Sequence, residues 1–428
     1  MKIIALAAAL LAATTAHAET FAIQAGRLIV DAAKPARGPS TVIVENGRIR
    51  AIEDGATAPA GATVVDMRSK TVMPGMTDVH VHLTGDAGQP WYQGLTPKYS
   101  EAYAATVGLR NALTMARAGF TTVRDLGSGP ESGLATRDAI RDGAFPGPRI
   151  QVSGPALSMI GGHGDAAVGF NPELAEAVNQ QGQVGVCTGA DECARAVRKI
   201  AATGVDVIKF HATGGVLDPG AMGLEQHFTD AEMNAIVETA HSLHLKAAAH
   251  AHGAGGILAA VRAGVDSIEH GTFIDDAGVR EMKARGSYFS ATLMAFSGLN
   301  QYIGKGIFTP NSETKARQAL AQWGVGLNKA YKAGVKIALG TDSGVAPHSQ
   351  ANQELALMVS KGGMTPRDAL VAATKGGPDL LGLSTETGTL DPGKSADLIA
   401  VDGDPLTDPA AVTHVAYVMV MGKPIPMK

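Results

Sequence analysis

Histidine, lysine and aspartate side chains recur where the predicted strands of this sequence end. The first such strand ends in His80-Val81-His82, and because residues two apart in a strand point to the same side, both imidazoles can face one ion. Four later strands each carry one more such residue near their ends, namely Lys209, His250, His270 and Asp342. Any one of them could be a hydrogen-bonded core residue, but the whole set at strand ends predicts a metal centre.

Lys209 is the unusual member of this set, because it interrupts an otherwise apolar strand. A buried ammonium is costly unless it is paired, neutralised or modified, so this lysine is predicted to have a special role. His211 and His252 lie two residues beyond Lys209 and His250 and therefore face the same way. We predict that both contact substrate or support the ligands; for His211, a hydrogen-bonded core position is the alternative.

The elements that must position these residues alternate between strand and helix over residues 73–384. The predicted strands are Asp78–Leu83, Thr121–Leu126, Arg149–Ser153, Asp206–His211, Lys246–His250, Ser267–His270, Tyr288–Leu293 and Lys336–Gly340. Predicted helices between them include Glu101–Arg117, Asp191–Ala202, Asp230–His244 and Lys315–Lys332. Eight such units predict an α/β protein with a TIM-like (β/α)8 barrel, and an open doubly wound sheet is the competing architecture. Polar residues at the carboxyl ends of the strands favour the barrel, where active sites lie at that face.

Both ends of the chain read as short strands separated by glycine and proline turns. Residues 19–72 include an Asn46-Gly47 hairpin signal, and residues 385–428 contain two further strand-like runs. We therefore predict a small β-sandwich module formed by both chain ends, with the metal-binding barrel inserted between its two parts.

Composition fits a large globular enzyme and excludes little else. The chain has 428 residues, of which 45% are hydrophobic and 18% are charged. Its formal net charge of −4 gives no indication of binding to nucleic acid or to an anionic membrane surface.

Residues 1–18 have the layout of a secretory signal peptide. Lys2 precedes an apolar run that ends at Leu11, and small residues lead to Ala16-His17-Ala18, a typical cleavage site. A membrane anchor is the alternative, but the run is shorter than the ~20 residues needed to span a bilayer. We expect cleavage after Ala18, a periplasmic or secreted protein, and no membrane association afterwards.

Cys187 and Cys193 are the two cysteines of the chain. In an oxidising compartment so close a pair can form a disulfide at the start of a helix, and two small buried thiols are the alternative. Two thiolates are too few for a closed structural zinc site.

The strand-end residues resemble the metal-binding pattern of the amidohydrolase superfamily, along almost the whole chain after the signal. The resemblance implies a first ion held by His80, His82 and Asp342 and a second held by His250 and His270. It also implies that Lys209, carboxylated by CO2, bridges the two. Zinc is the expected divalent metal, since imidazole and carboxylate ligands with hydrolytic chemistry suit it.

The expected chemistry follows from these charges. Two cations that share a water lower its pKa from ~15.7 toward ~7, which makes a hydroxide available at neutral pH. Asp342 is the predicted catalytic residue: it would accept the proton of this water and deliver it to the departing amine.

Two further motifs resemble the prolidase-like branch of that superfamily, which contains metal-dependent dipeptidases, carboxypeptidases and ochratoxin-hydrolysing relatives. They are Gly161-Gly162-His163-Gly164-Asp165 and Ala212-Thr213-Gly214-Gly215-Val216-Leu217. The resemblance implies release of a C-terminal amino acid from a dipeptide or an N-acyl amino acid. It also implies assembly into a homo-oligomer of unspecified size.

The same motifs supply the predicted substrate-binding residues. His163 and backbone N–H groups of its loop could bind a carboxylate. Gly214 and Gly215 let the backbone approach the substrate, and Val216 and Leu217 could form an apolar wall. An ordinary flexible loop is the alternative for residues 161–165.

Two other functions compete with amide hydrolysis of this kind. A cyclic-amide hydrolase, such as an imidazolonepropionase, would share the barrel, but such enzymes typically use one metal and do not need Lys209. A non-catalytic barrel would be marked by lost ligands, and the full set is present.

Overall fold

The computed structural model describes residues 19–88, 100–180, 183–219 and 223–428. The predicted signal peptide, residues 1–18, lies outside these ranges and stays a prediction. Within the described ranges, no helix has both the length and the apolar character needed to cross a membrane.

The strands and helices are numbered in chain order. The strands are β1 Thr20–Leu28, β2 Ser40–Glu45, β3 Arg48–Asp54, β4 Thr63–Pro74, β5 Met76–Val81, β6 Phe120–Asp125, β7 Arg149–Val152, β8 Val207–His211, β9 Lys246–Ala251, β10 Ser267–His270, β11 Tyr288–Ser290, β12 Lys336–Ile337, β13 Leu398–Val401, β14 Val415–Val420 and β15 Lys423–Pro424. The helices are α1 Glu101–Arg117, α2 Ser132–Arg141, α3 Pro172–Gln180, α4 Ala190–Ala201, α5 Asp230–Ser242, α6 Ala254–Ala263, α7 Asp276–Arg285, α8 Leu293–Tyr302, α9 Pro310–Leu320, α10 Val325–Ala333, α11 Glu354–Ser360, α12 Pro366–Val371 and α13 Gly377–Leu381.

Strands from both chain ends share one seven-stranded sheet, in the order β15-β14-β13-β4-β1-β2-β3. The long strand β4 joins the two contributions, because it pairs with β1 in parallel and with β13 in antiparallel orientation. This hydrogen bonding defines a single sheet, so the two facing layers of the predicted sandwich are not confirmed.

Parallel strands fill the middle of the chain, as the strand–helix alternation predicts. They form two sheets, β5-β6-β7 and β12-β11-β10-β9-β8. The α/β class is confirmed, whereas the strand pairing defines two sheets and not one closed barrel. One reason is that β12 ends at Ile337, and the chain soon reaches Asp342, whose φ of 57° is incompatible with a strand.

Single backbone hydrogen bonds nevertheless connect the two parallel sheets at both margins. At one margin, N–H of Val79 donates to Leu339 O (2.9 Å), and N–H of Asp342 donates to His80 O (2.7 Å). At the other, N–H of Asp206 donates to Val152 O at 2.8 Å. The carboxyl ends of all eight parallel strands are thereby held around one region.

Two predicted elements differ from the structure. The strand predicted over Tyr288–Leu293 ends at Ser290, because Thr292 adopts a left-handed conformation with φ 49° and α8 begins at the next residue. The helix predicted over Lys315–Lys332 is divided into α9 and α10, with Gly324 at φ 83° between them.

The two cysteines form a disulfide, which answers the question that the sequence left open. Cys193 lies in the first turns of α4 and Cys187 in the loop before it, and both are buried.

Candidate metal centre

The strand-end residues converge on one cavity of about 130 Å³. Its polar side is lined by His80, His82, His163, Lys209, His211, His250, His252, His270 and Asp342. The structure thus brings together the whole predicted ligand set, and it adds three of the predicted substrate-binding histidines.

His80, His82 and Asp342 form a first group whose potential ligand atoms all lie within 4.8 Å of one another. Nε2 of His82 is 3.2 Å from Oδ1 of Asp342, and Nε2 of His80 is 3.5 Å from the same oxygen. Burial opposes ionisation of Asp342, but the two histidines outweigh it and lower the pKa of this carboxyl. Burial lowers the pKa of His80 to about 4. A carboxylate beside a neutral imidazole is the form in which both bind metals.

The outer nitrogens of these two histidines are fixed by acceptors behind them. Nδ1 of His80 donates to Glu269 at 3.0 Å, and Nδ1 of His82 donates to the carbonyl of Gly127 at 3.1 Å. Each ring therefore directs Nε2 toward Asp342, which is the usual way in which a second hydrogen bond orients a metal-binding histidine.

His250, His252 and His270 form a second group, again with ligand atoms within 4.8 Å of one another. Burial lowers the pKa of His252 to about 3 and lowers the pKa values of His250 and His270 well below the usual range, so all three are neutral. Nε2 of His250 is buried and has no hydrogen-bond partner among the described residues. A buried lone pair without a partner is costly unless a ligand or ion satisfies it.

Lys209 faces the same cavity and is only 2% exposed. Burial lowers the pKa of Lys209 to about 8, so a neutral amine is accessible near neutral pH. The neutral amine is the form that can combine with CO2. The two groups of potential ligand atoms fit divalent metal ions.

His163 and His211 lie beside the second group. The ring of His163 stacks on that of His250, with 4.4 Å between centroids, and lies edge-on to that of His211 at 4.6 Å. Nδ1 of His163 donates a short hydrogen bond to Asp218. Nδ1 of His211 is buried without a partner among the described residues.

Four of the five backbone amides of the 161–165 loop donate to acceptors in or next to the loop. N–H of Gly161 donates to the Asp165 side chain at 2.7 Å, and N–H of Gly164 donates to Ser158 Oγ at 3.0 Å. N–H of Gly162 and N–H of Asp165 donate to nearby carbonyls. This leaves the imidazole of His163 as the better candidate for a substrate carboxylate.

Gly214 and Gly215 are needed for close approach within the protein. A Cβ added to Gly215 would lie 2.2 Å from Nδ1 of His163, and one added to Gly214 would lie 2.1 Å from the carbonyl oxygen of Gly223. Gly215 therefore lets its loop lie against His163, and Gly214 lets it lie against the backbone at Gly223. The predicted approach of this backbone to substrate stays a prediction.

An apolar wall faces the polar side of the cavity. It consists of Val216, Leu217, Ala295, Phe296, Leu299, Ala319 and Val345. Val216 and Leu217 lie where the sequence predicts them. The sequence did not predict that Phe296 and Leu299, on α8, belong to this wall, since nothing in the sequence distinguishes them from ordinary core residues.

Glu269 and Asp218 are the polar residues near the site that the sequence reasoning missed. The sequence could have indicated Glu269, because it is a charged residue within the buried strand β10. No sequence feature indicated Asp218, since only folding brings its loop against His163.

Comparison with known proteins agrees with this geometry. The model of the amidohydrolase family matches residues 71–425, which is most of the chain. The chain belongs to this family. The ochratoxinase of Aspergillus niger is 34% identical to this amidohydrolase over 95% of the chain and 87% of the relative.

Solved structures support the same family assignment. A Xaa-Pro dipeptidase, crystallised with methionine in its active site, superposes on the amidohydrolase with a TM-score of 0.87 and 33% identity, covering 95% of this chain and 99% of the other. The structure of A. niger ochratoxinase gives a TM-score of 0.83 and 30% identity over 95% of each chain. An imidazolonepropionase of Nocardia farcinica is a weaker match, 26% identical over 89% of this chain and 88% of its own. The amidohydrolase is therefore a hydrolase that acts on amide bonds.

Proposed function

We propose that this amidohydrolase uses two divalent metal ions, with zinc as the expected metal, to release a C-terminal amino acid from dipeptides or N-acyl amino acids. The observation that carries this proposal is the pair of potential ligand groups that face one cavity together with buried Lys209. A one-metal cyclic-amide hydrolase would need neither the second group nor this lysine.

Each ion has a proposed set of ligands. His80, His82 and Asp342 would hold the first, His250 and His270 the second, and carboxylated Lys209 both. The ring nitrogens of His252 lie close to those of His250 and His270. The proposed role of His252 is to contact substrate or to support the second ion. When bound, the ions would polarise the scissile carbonyl and lower the pKa of a water.

Asp342 is the proposed proton carrier. Its carboxylate is kept ionised by His80 and His82, so it can accept the proton of the attacking water. Delivery of that proton to the amine nitrogen would complete cleavage. Because the residue is buried at the cavity, little competing solvent reaches the transferred proton.

Features of the cavity support the proposed substrate class. The apolar wall suits an apolar acyl group or side chain, while His163 faces the same space and can bind a carboxylate. Two relatives are named an ochratoxinase and a Xaa-Pro dipeptidase, which supports ochratoxin A and dipeptides as candidate substrates.

A substrate screen tests the proposal. Zinc-loaded protein lacking residues 1–18 is incubated with dipeptides, N-acyl amino acids and ochratoxin A, and free amino acid is measured. We expect release by the parent and by the exposed-site control Asp276→Asn, and a loss of at least about 100-fold in Asp342→Asn. Removal of metal by a chelator should abolish release, and zinc should restore it. If the protein binds two metals but releases no amino acid from any compound, the proposal is contradicted. Hydrolysis of cyclic amides is then the favoured function.

We also infer that the two parallel sheets are parts of one (β/α)8 barrel over residues 73–384. The single hydrogen bonds at both sheet margins support this. Export through residues 1–18 and assembly into a homo-oligomer are further proposals, and light scattering of the purified protein would test the assembly.

A further inference from the structure

Asp218 is an acidic residue behind His163 that the proposed chemistry does not use. Its side chain has two polar contacts: one oxygen accepts from Nδ1 of His163, and the other accepts from N–H of Gly215 at 2.7 Å. The side chain is 12% exposed. One carboxylate thus joins the loop of residues 161–165 to the loop of residues 213–218.

The protonation of this pair follows from its contacts. Burial opposes ionisation of Asp218, but the hydrogen bonds from His163 and Gly215 outweigh it and lower the pKa of the carboxyl. An ionised carboxylate can only accept hydrogen bonds, so Nδ1 of His163 must carry the hydrogen. The other ring nitrogen, Nε2, then remains for substrate: it accepts a hydrogen bond when the ring is neutral and donates to a carboxylate when the ring is protonated.

We propose that Asp218 is the positioning residue of His163: it holds the imidazole with hydrogen on Nδ1, stacked on His250, so that Nε2 meets the substrate. This inference rests on the proposed function, in that it assumes that substrate enters the cavity. A hydrogen-bonded carboxylate behind a working histidine fixes both the tautomer and the ring plane.

The alternative role of Asp218, tethering of its own loop, can be separated from this one. The loop is also held by α9, where Ser312 Oγ donates to the carbonyl of Asp218 at 2.8 Å and Lys315 Nζ donates to that of Gly215 at 2.9 Å. These contacts reach main-chain oxygens, so they persist when the Asp218 side chain is replaced. Ser312→Ala is therefore a matched control that loosens the loop and leaves the carboxylate in place.

NMR of zinc-loaded protein labelled with [15N]histidine tests the positioning directly. The parent should show His163 with hydrogen on Nδ1, assigned by the signal that His163→Gln removes. We expect Asp218→Ala to lose this tautomer preference and Ser312→Ala to keep it. Asp218→Asn, which preserves side-chain volume, should shift the same signal if Asp218→Ala does not fold. An unchanged His163 signal in the Asp218 variants would overturn the proposal.

Kinetics on the compound that the parent cleaves fastest provide the second arm. Asp218→Ala should lower kcat/KM by about 10–100-fold, mainly through KM. In a His163→Gln background the same change should cost less than about 2-fold, because the two side chains act as one unit. Additive effects, or an equal loss in Ser312→Ala, would overturn the proposal. If the parent releases no amino acid, the proposed function is contradicted and not the positioning role. The NMR experiment still tests the positioning role in that case, because it does not depend on turnover.

Discussion

Glu269 links the candidate metal centre to the interior of the parallel sheet. One carboxylate oxygen accepts from His80, and the other accepts from Arg124 at 2.9 Å and from Ser267 at 2.5 Å. Glu269 and Arg124 have no exposed side-chain surface. The residue therefore serves two purposes, because it neutralises a buried guanidinium and sets the ring plane of His80, a candidate metal ligand.

Replacement of Glu269 by glutamine should weaken both folding and metal binding. Loss of the charge leaves Arg124 buried and unpaired, which costs about 3–5 kcal/mol of the free energy of unfolding, and zinc affinity should fall by about 10–100-fold. Urea unfolding and zinc titration measure the two effects. Glu313→Gln, which breaks the exposed pair with Arg317, should change stability by no more than about 0.5 kcal/mol. Equal stabilities of the two variants would show that the interior pair contributes little.

Asp266 makes a pH-dependent contribution away from the cavity. Burial opposes its ionisation, but hydrogen bonds from N–H of Ala247, from His241 and from Lys246 outweigh it and lower the pKa of the carboxyl. A lowered folded-state pKa stabilises the protein above the unfolded value of about 3.8, and this stabilisation is lost as pH falls through the folded value.

Asp266→Asn should therefore be less stable than the parent at pH 7 by about 2 kcal/mol, the contribution of hydrogen bonds to a charged group. The difference should shrink once the pH falls below about 3.8. Urea unfolding between pH 3 and pH 7 gives the comparison. A difference that stays constant over this range would mean that the charge of Asp266 does not matter.

Among the elements, α8 and α11 position the second histidine group. Glu354, the first residue of α11, accepts from N–H of Leu293 at 2.8 Å and from N–H of Met294 at 2.6 Å, where α8 begins. Thr292, directly before α8, contacts Nδ1 of His270 at 2.7 Å through its hydroxyl. Burial raises the pKa of Glu354 to about 8, and its carboxyl group fixes the start of α8 through these two hydrogen bonds, and with it the orientation of His270.

The start of α4 is fixed covalently by the disulfide between Cys187 and Cys193. Replacing both cysteines by alanine should lower the free energy of unfolding by about 2 kcal/mol, the value expected for so short a closed loop. Urea unfolding with and without reductant measures it: the parent should fall toward the variant when reduced, while the variant should not respond. A reductant effect on both proteins would rule out the disulfide as its cause.

The shape of the whole molecule depends on the pairing of its two ends. β4 and β13 are neighbours in the sheet although more than 300 residues separate them in sequence, with Met73 paired to Ile399 and Pro74 to Leu398. β5 follows β4 after a single residue, so this sheet also sets where the strand bearing His80 begins.

Deletion of residues 415–428 should prevent folding. It removes β14 with its buried Val418, Met419 and Val420, each of which contributes about 1.5–3 kcal/mol by burial, and the sum approaches the about 5–15 kcal/mol that stabilises a typical protein. Soluble yield and circular dichroism are the measurements. Deletion of Lys428 alone should leave both unchanged. A soluble, folded product of the longer deletion would show that the middle of the chain folds by itself.

The sequence alone determined the alternation of strand and helix and the residues that meet at the candidate metal centre. Both depend on local signals: alternation of strand and helix, and polar residues at the ends of predicted apolar strands. His80, His82, Lys209, His250, His270 and Asp342 could be found in this way because each lies in or soon after a predicted strand, and parallel strands bring such ends to one face. Their role as ligands stays a proposal.

Only the tertiary structure decided the contacts between segments far apart in the chain. It showed that His252 groups with His250 and His270, that Asp218 supports His163, and that one sheet unites both chain ends. These features depend on loop paths and on side-chain directions after folding, and no local pattern encodes the distance between two loops. The apolar wall on α8 could not be predicted for a related reason. Phe296 and Leu299 resemble ordinary core residues in type, and only the structure shows that they face the cavity.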